Sequence, residues 1–285
     1  MQVTFWGVRG SIPTPGTWTS RWGGNSSCLQ VRHGDLEPLV FDAGTGIREL
    51  GKQLVQGDTR HLNLVFTHLH MDHLFGFPFF APLFTPGYSL SITLPSYHDG
   101  DAKDKLGRYL NGIYHPLKLD MIPAEMEFLA IRPAQGFERG GFKIRGVALN
   151  HPGGATGYRV DADGESMCYF TDTAPMAKVG EGIMAGKKPP PLEAAALTAL
   201  EGCDVVVFDT MFSRDEYLDK MSWGHGYPEY AVALCKAVGV KHLVLFHHSP
   251  DATDEQLDAQ EAYWRDFDDL KVTLAREGET VDVSG

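Results

Sequence analysis

A chain of 285 residues with 43% hydrophobic and 22% charged residues has the makeup of an ordinary packed core. That excludes a disordered or fibrous protein and fits one α/β domain over residues 1–285 better than two. The formal net charge of −12 excludes a broad electrostatic grip on a stable nucleic-acid partner. It leaves room for a small anionic substrate held by bound cations.

In chain order, the opening Met1-Gln2-Val3-Thr4-Phe5-Trp6 reads as a strand over 3–6 and not as a basic-then-apolar leader. Further strands are expected at 28–31, 39–41, 62–66, 91–94, 142–149, 158–160, 167–170, 205–208 and 242–246. Several are nearly all apolar, as in strands covered on both faces. Helical patterns fall at 47–55, 101–110, 192–200, 228–238 and 254–267, the last opened by a capping signature of Thr253 and Gln256. Interleaved strands and helices predict a layered α/β fold with helices outside.

The apolar stretch 74–84 is too short to span a bilayer and is broken by Gly76, Pro78 and Pro82. No membrane association is expected, and the chain is placed in the cytoplasm. Cys28, Cys168, Cys203 and Cys235 form no C-x-x-C pair and read as buried thiols of a reducing compartment. Residues 176–191, rich in glycine, lysine and proline, read as an exposed loop, with a lid over the active site as the alternative.

The chemistry concentrates in Thr67-His68-Leu69-His70-Met71-Asp72-His73. In extended backbone His68 and His70 project on one side and can converge on one ion. Asp72 and His73 follow at what reads as a helix start, where they can face a second ion. Other histidines and aspartates stand at further strand ends: His151 after 142–149, Asp172 after 167–170, and His247 and His248 after 242–246. Loops at one end of a sheet are where α/β proteins build sites.

These residues resemble the metallo-β-lactamase superfamily, whose signature is H-x-H-x-D-H, and within it the ribonuclease Z and phosphodiesterase branch. The likeness runs through Gly7-Val8-Arg9-Gly10-Ser11, Gly24-Asn25-Ser26-Ser27-Cys28, Asp42-Ala43-Gly44-Thr45-Gly46, Gly157-Tyr158-Arg159, Gly224-His225-Gly226 and Leu245-Phe246-His247-His248-Ser249-Pro250. It implies a four-layered αββα sandwich with the site at one edge of two sheets. It implies one metal on His68, His70 and His151, a second on Asp72, His73 and His247, and Asp172 bridging them. His247 is preferred to His248 because the branch places a ligand histidine two residues before a serine. Asp42 is then the residue that fixes a ligand imidazole from behind.

Imidazoles and carboxylates without cysteine suit two divalent ions, zinc first, with manganese or iron as alternatives. Such a pair makes hydroxide available near neutral pH and neutralises charge building on a phosphoryl or carbonyl oxygen. Asp72 and His225 are the catalytic candidates. The resemblance associates the Gly-His motif at His225 with phosphate contact and leaving-group protonation, work suited to an imidazole with an unperturbed pKa of about 6.5.

Ribonuclease Z enzymes carry a tRNA-gripping arm between the residues matching His151 and Asp172, and here that interval is filled by two strand segments. A small phosphodiester, with a cyclic nucleotide as one form, is therefore favoured over tRNA 3′-end cleavage. Lactone or ester hydrolysis and a metal-binding regulatory module remain as alternatives. Arg9, Asn25 and Tyr158 are read as pocket-lining or structural residues. His33, His61, His98, His115 and His242 are read as surface or packing residues. The aromatic segment 75–84 is read as core or as a homodimer interface.

Overall fold

The computed structural model describes residues 1–97, 102–113, 115–265 and 270–284. One sheet is built from β1 (Gln2–Gly7), β2 (Cys28–Arg32), β3 (Leu39–Phe41), β4 (His61–Val65), β5 (Ser89–Pro95), β6 (Glu125–Ile131) and the late β14 (Thr280–Asp282), in the order 14-1-2-3-4-5-6. The other holds β7 (Gly136–Arg139), β8 (Phe142–Leu149), β9 (Ala155–Ala162), β10 (Glu165–Phe170), β11 (Val205–Asp209), β12 (His242–Phe246) and β13 (Lys271–Leu274), in the order 13-12-11-10-9-8-7. The helices are α1 (Ile47–Leu54), α2 (Ala102–Tyr109), α3 (Pro191–Leu200), α4 (Arg214–Asp219), α5 (Pro228–Ala237) and α6 (Asp254–Trp264).

Three apolar clusters mark the three spaces between four layers. Between the sheets, Val3, Phe5, Phe41 and Val65 meet Tyr158, Tyr169, Val207 and Phe246. Ile47 and Leu50 of α1 and Leu106 of α2 cover the outer face of the first sheet, against Leu64, Phe66 and Ile92. Ala196, Leu234 and Leu257 of α3, α5 and α6 cover the second, against Cys168, Val206 and Leu245. Each of the larger side chains contributes roughly 1.5–3 kcal/mol on burial. The αββα sandwich implied by the sequence is the fold.

Strand direction brings the site together. β3, β4 and β5 run parallel, as do β10, β11 and β12. β8 is antiparallel to β9, and β9 to β10, so β8 points the same way as β10. The chain segments that leave β3, β4, β8, β10, β11 and β12 therefore all emerge at one edge.

Several elements differ from the sequence expectation. Asp72 and His73 sit in a single 3₁₀ turn, Met71–His73, and not at the start of an α-helix. Gly76 packs so tightly against Gly44 that a Cβ there would lie 2.1 Å from the Gly44 carbonyl oxygen, and the chain goes on in short 3₁₀ turns at Phe77–Phe79 and Ala81–Phe84 in place of an α-helix. Four strands (β6, β7, β13 and β14) were not expected, because edge strands with half-exposed residues carry little hydrophobic signal. Helix α4 was also missed, although Ser213 and Glu216 form a capping box legible in the sequence. The helix expected at 101–110 is seen as α2, with Asp101 outside the described residues. The helix expected to reach Phe267 is described to Trp264, and His98 also lies outside the described residues.

Loop 176–191 is braced against the helices. The buried Glu193 carboxylate accepts hydrogen bonds from Ile183 N–H at 3.1 Å and Tyr230 O–H at 3.1 Å, and Tyr230 Oη accepts from Met176 N–H at 2.9 Å. The four cysteines are free thiols and buried. No helix among the described residues is long and apolar enough to cross a membrane.

Candidate metal centre

The strand-end residues converge into two groups that share one aspartate. His68, His70, His151 and Asp172 offer ligand atoms that lie within 4.8 Å of one another, and so do Asp72, His73, Asp172 and His247. Asp172 divides its oxygens between them. Its Oδ2 lies 3.7 Å from Nε2 of both His68 and His151, and its Oδ1 lies 3.0 Å from His73 Nε2 and 3.2 Å from His247 Nε2. In the first group His151 Nε2 is 3.0 Å from His70 Nδ1. In the second, Asp72 Oδ2 is 3.3 Å from Nε2 of both His73 and His247.

Backbone and neighbours fix the ring orientations. Asp42, fully buried, accepts from His73 Nδ1 at 2.8 Å, from Thr67 N–H at 2.8 Å and from Tyr169 O–H at 3.1 Å. The Nδ1 proton of His73 is thereby committed, leaving Nε2 to face the two aspartates. His151 Nδ1 donates to the Gly224 carbonyl at 2.9 Å, with the same effect on its Nε2. Asp72 Oδ2 accepts from Ser11 N–H at 2.9 Å. Ser11, Asp42, Asp172 and His247 all hold left-handed backbone, with φ between 56° and 63°. That conformation costs a non-glycine residue about 1–2 kcal/mol.

The donor set fits a pair of cations. His68 Nε2 is buried without a hydrogen-bond partner, a costly state for an imidazole nitrogen that a coordinated ion removes, and His73 Nε2 faces two carboxylate oxygens at 3.0 and 3.3 Å. Burial, with His73 close by, pushes the His68 pKa well down, and burial lowers His70 and His151 too, so all three favour the neutral form that binds metal. Burial also opposes charge on His73, but Asp72, Asp172 and Asp42 outweigh it and push its pKa well up. Asp72 and Asp172 are held far below the usual carboxylate range, since His73 and His247 overcome the burial of both groups. Two cations would take over the role of those protons. The clusters make a dinuclear metal site.

Beside the centre stands His225, buried, its Nδ1 donating to Asp209 Oδ2 at 2.9 Å and lying 3.9 Å from Asp172 Oδ2. Burial would lower its pKa, but Asp209 outweighs that and raises it to about 9. The other oxygen of Asp209 lies 3.8 Å from His247 Nδ1, so one carboxylate stands behind both imidazoles. Asp209 was not anticipated. The sequence carried a signal, since it ends the apolar run 205–208 as Asp172 ends another.

Of the paired histidines, His247 joins the cluster. His248 donates from Nε2 to the Ala275 carbonyl at 2.7 Å and meets the Trp22 ring edge-on. Arg9, Asn25 and Tyr158 are structural. Arg9 is fully buried on the carbonyls of Gly23, Ser249 and Ala252, Asn25 bonds Glu277, and Tyr158 O–H donates to the Phe66 carbonyl. His115 packs edge-on against Phe79, and His242 is buried beside Thr273. Phe77 and Phe80 are core, whereas Phe79 and Phe84 are exposed.

The family described as beta-lactamase superfamily domain matches residues 38–248. A ribonuclease Z of Synechococcus sp. (strain WH7803) is 27% identical, with 88% of this chain and 85% of that protein aligned. The crystal structure of the short form of human tRNase Z superposes with a TM-score of 0.67 at 19% identity, over 99% of each chain. A diphosphatase from the PhnP family superposes with a TM-score of 0.68 at 19% identity, over 99% of this chain and 97% of that one.

Proposed function

The chain belongs to the metallo-β-lactamase superfamily and is a metal-dependent hydrolase, and from that premise we propose that its substrate is a small phosphodiester, of which a cyclic nucleotide is one form. The observation that carries this reading is an imidazole backed by a carboxylate, His225 on Asp209, set beside two clusters that share Asp172. Bound divalent ions, zinc first by donor type, supply Lewis acidity and lower the pKa of water. The residues would divide as His68, His70 and His151 on one ion, Asp72, His73 and His247 on the other, and Asp172 on both. Asp42 and the Gly224 carbonyl hold the imidazoles of His73 and His151 in the tautomer that presents Nε2.

In this reading Asp72 orients the water and accepts its proton, while His225 gives a proton to the departing oxygen. Asp209 keeps that proton on the ring by stabilising the imidazolium. Bound cations would offset the charge of Asp172 and Asp72, so the His225 pKa would settle lower in the loaded protein. The whole chain acts as one hydrolase domain, and the exposed Phe79 and Phe84 suit a homodimer contact.

A second reading, tRNA 3′-end cleavage, is favoured by the ribonuclease Z relatives, which align along most of their length. Against it, the interval from His151 to Asp172 is taken up by the hairpin of β9 and β10, which pair from Tyr158–Tyr169 out to Ala162–Glu165 and leave no segment for an arm. Metal-reconstituted protein should release p-nitrophenolate from bis(p-nitrophenyl) phosphate and leave a lactone panel and a precursor tRNA intact. Cleavage of the tRNA alone, or of lactones alone, would replace this reading.

A further inference from the structure

A cavity of about 220 Å³ opens directly beside His68 and His70, walled by Leu69, Pro95, Tyr97 and Lys105 and by Gly153 and Gly154. We propose that it is the subsite for the non-leaving side of the substrate and accepts one planar, nucleoside-sized ring group stacked on Tyr97. The inference rests on the phosphodiester reading above and specifies which diesters are preferred.

Three features support it. The position is set by covalent connection, since Leu69 lies between His68 and His70 and a group filling the cavity is held next to the first cluster. The volume is below the roughly 300–1,000 Å³ of a complete small-molecule site, so it suits one ring-sized part of a substrate whose phosphate lies at the metal centre. The wall is also preorganised. Tyr97 leaves the end of β5 and crosses to the other sheet, its hydroxyl donating to the Ala155 carbonyl and lying 2.7 Å from Thr156 Oγ1. A Cβ on Gly154 would lie 2.5 Å from the Tyr97 ring, and Gly154 has φ of +87°. The ring thus rests on backbone that only glycine supplies without strain. An aromatic ring held this way recognises a π-face without a hydrogen-bond code.

The test compares two diesters with the same leaving group, p-nitrophenyl thymidine 5′-phosphate and methyl p-nitrophenyl phosphate, on metal-loaded protein. The wild type should prefer the thymidine ester in kcat/KM by about tenfold, mostly through KM, as one base stacked on one aromatic ring commonly gives. Tyr97→Ala should bring that ratio close to one, and Tyr97→Phe, which keeps the ring, should retain it. Independently of turnover, saturation-transfer NMR with thymidine 5′-phosphate should mark the base protons in the wild type and lose them in Tyr97→Ala. Equal kcat/KM for both esters in the wild type would overturn the subsite, with no variant needed. So would an unchanged ratio in a folded, metal-replete Tyr97→Ala. Release of p-nitrophenolate from neither ester would count against the phosphodiester reading itself, and is distinguishable from both.

Discussion

The two halves of the centre share Asp172 yet are built differently. In the group of Asp72, His73 and His247 every member is buried, and each is braced: His73 by Asp42, Asp72 by Ser11 N–H, and His247 by left-handed backbone with Asp209 behind its ring. In the group of His68, His70 and His151, His70 is exposed although the His151 ring is buried, and a cavity opens beside His68 and His70. Electrostatics follow the packing. Carboxylates outweigh burial and raise the His73 pKa, whereas burial lowers those of His68, His70 and His151. One half is therefore a fixed anchor and the other an accessible face, an arrangement that lets substrate approach an ion without loosening the rest.

The harshest way to break this comparison removes what the halves share. Asp172→Ala should strip both ions, because two cations without a bridging carboxylate repel each other. Plasma mass spectrometry should then read less than one metal per chain, with turnover at background. Two retained metals would mean that the bridge is not essential.

Next in size, His225→Ala should cut phosphodiester turnover by about 10²–10⁴-fold, the usual worth of a positioned acid, while both ions stay bound. Asp209→Asn should cut it less and move the alkaline limb of the pH–rate profile down, because the carboxylate that raises the His225 pKa is gone. An unchanged profile would remove Asp209 from the proton path.

Asp42→Asn sharpens the contrast between halves. The loss of an orienting carboxylate typically weakens metal affinity about 10–100-fold, and it should fall mainly on the second ion, because Asp42 bonds the His73 ring directly and reaches His68 only through Thr67. Stepwise titration with a chelator should show one site weakened much more than the other. Equal weakening of both would mean that the halves are not independently braced.

The smallest effect lies away from the centre. Burial lowers the pKa of His242 to about 4. Between that value and about 6.5 the unfolded chain binds a proton that the native chain does not, so this contribution is full above about pH 6.5 and is lost as pH falls toward 4, by about 1.4 kcal/mol per unit. His242→Gln should flatten the fall of Tm over that range in metal-free protein. An unaltered slope would assign the acid response to the metal-site groups instead.

Much of this molecule was legible before folding was considered. The strand-end positions of His68, His70, Asp72, His73, His151, Asp172 and His247 could be read locally, because an apolar run followed by a polar ligand type is a one-dimensional signal. So could a layered α/β fold, since strand and helix periods depend on near neighbours in the chain, whereas the αββα order came only with the family resemblance. Asp209 was missed because its meaning comes from two imidazoles, 16 and 38 positions further on, that approach it only across parallel strands. The preference for His247 over His248 came from the resemblance and not from local pattern, as successive residues point opposite ways and the packed partner, Ala275 or Asp72, is what separates them physically. The division of Asp172 between the clusters, the left-handed turns at the strand ends and the cavity beside His70 were likewise decided by tertiary structure. Each is a distance between segments remote in sequence, set by how two sheets pack and not by the order of residues along either one.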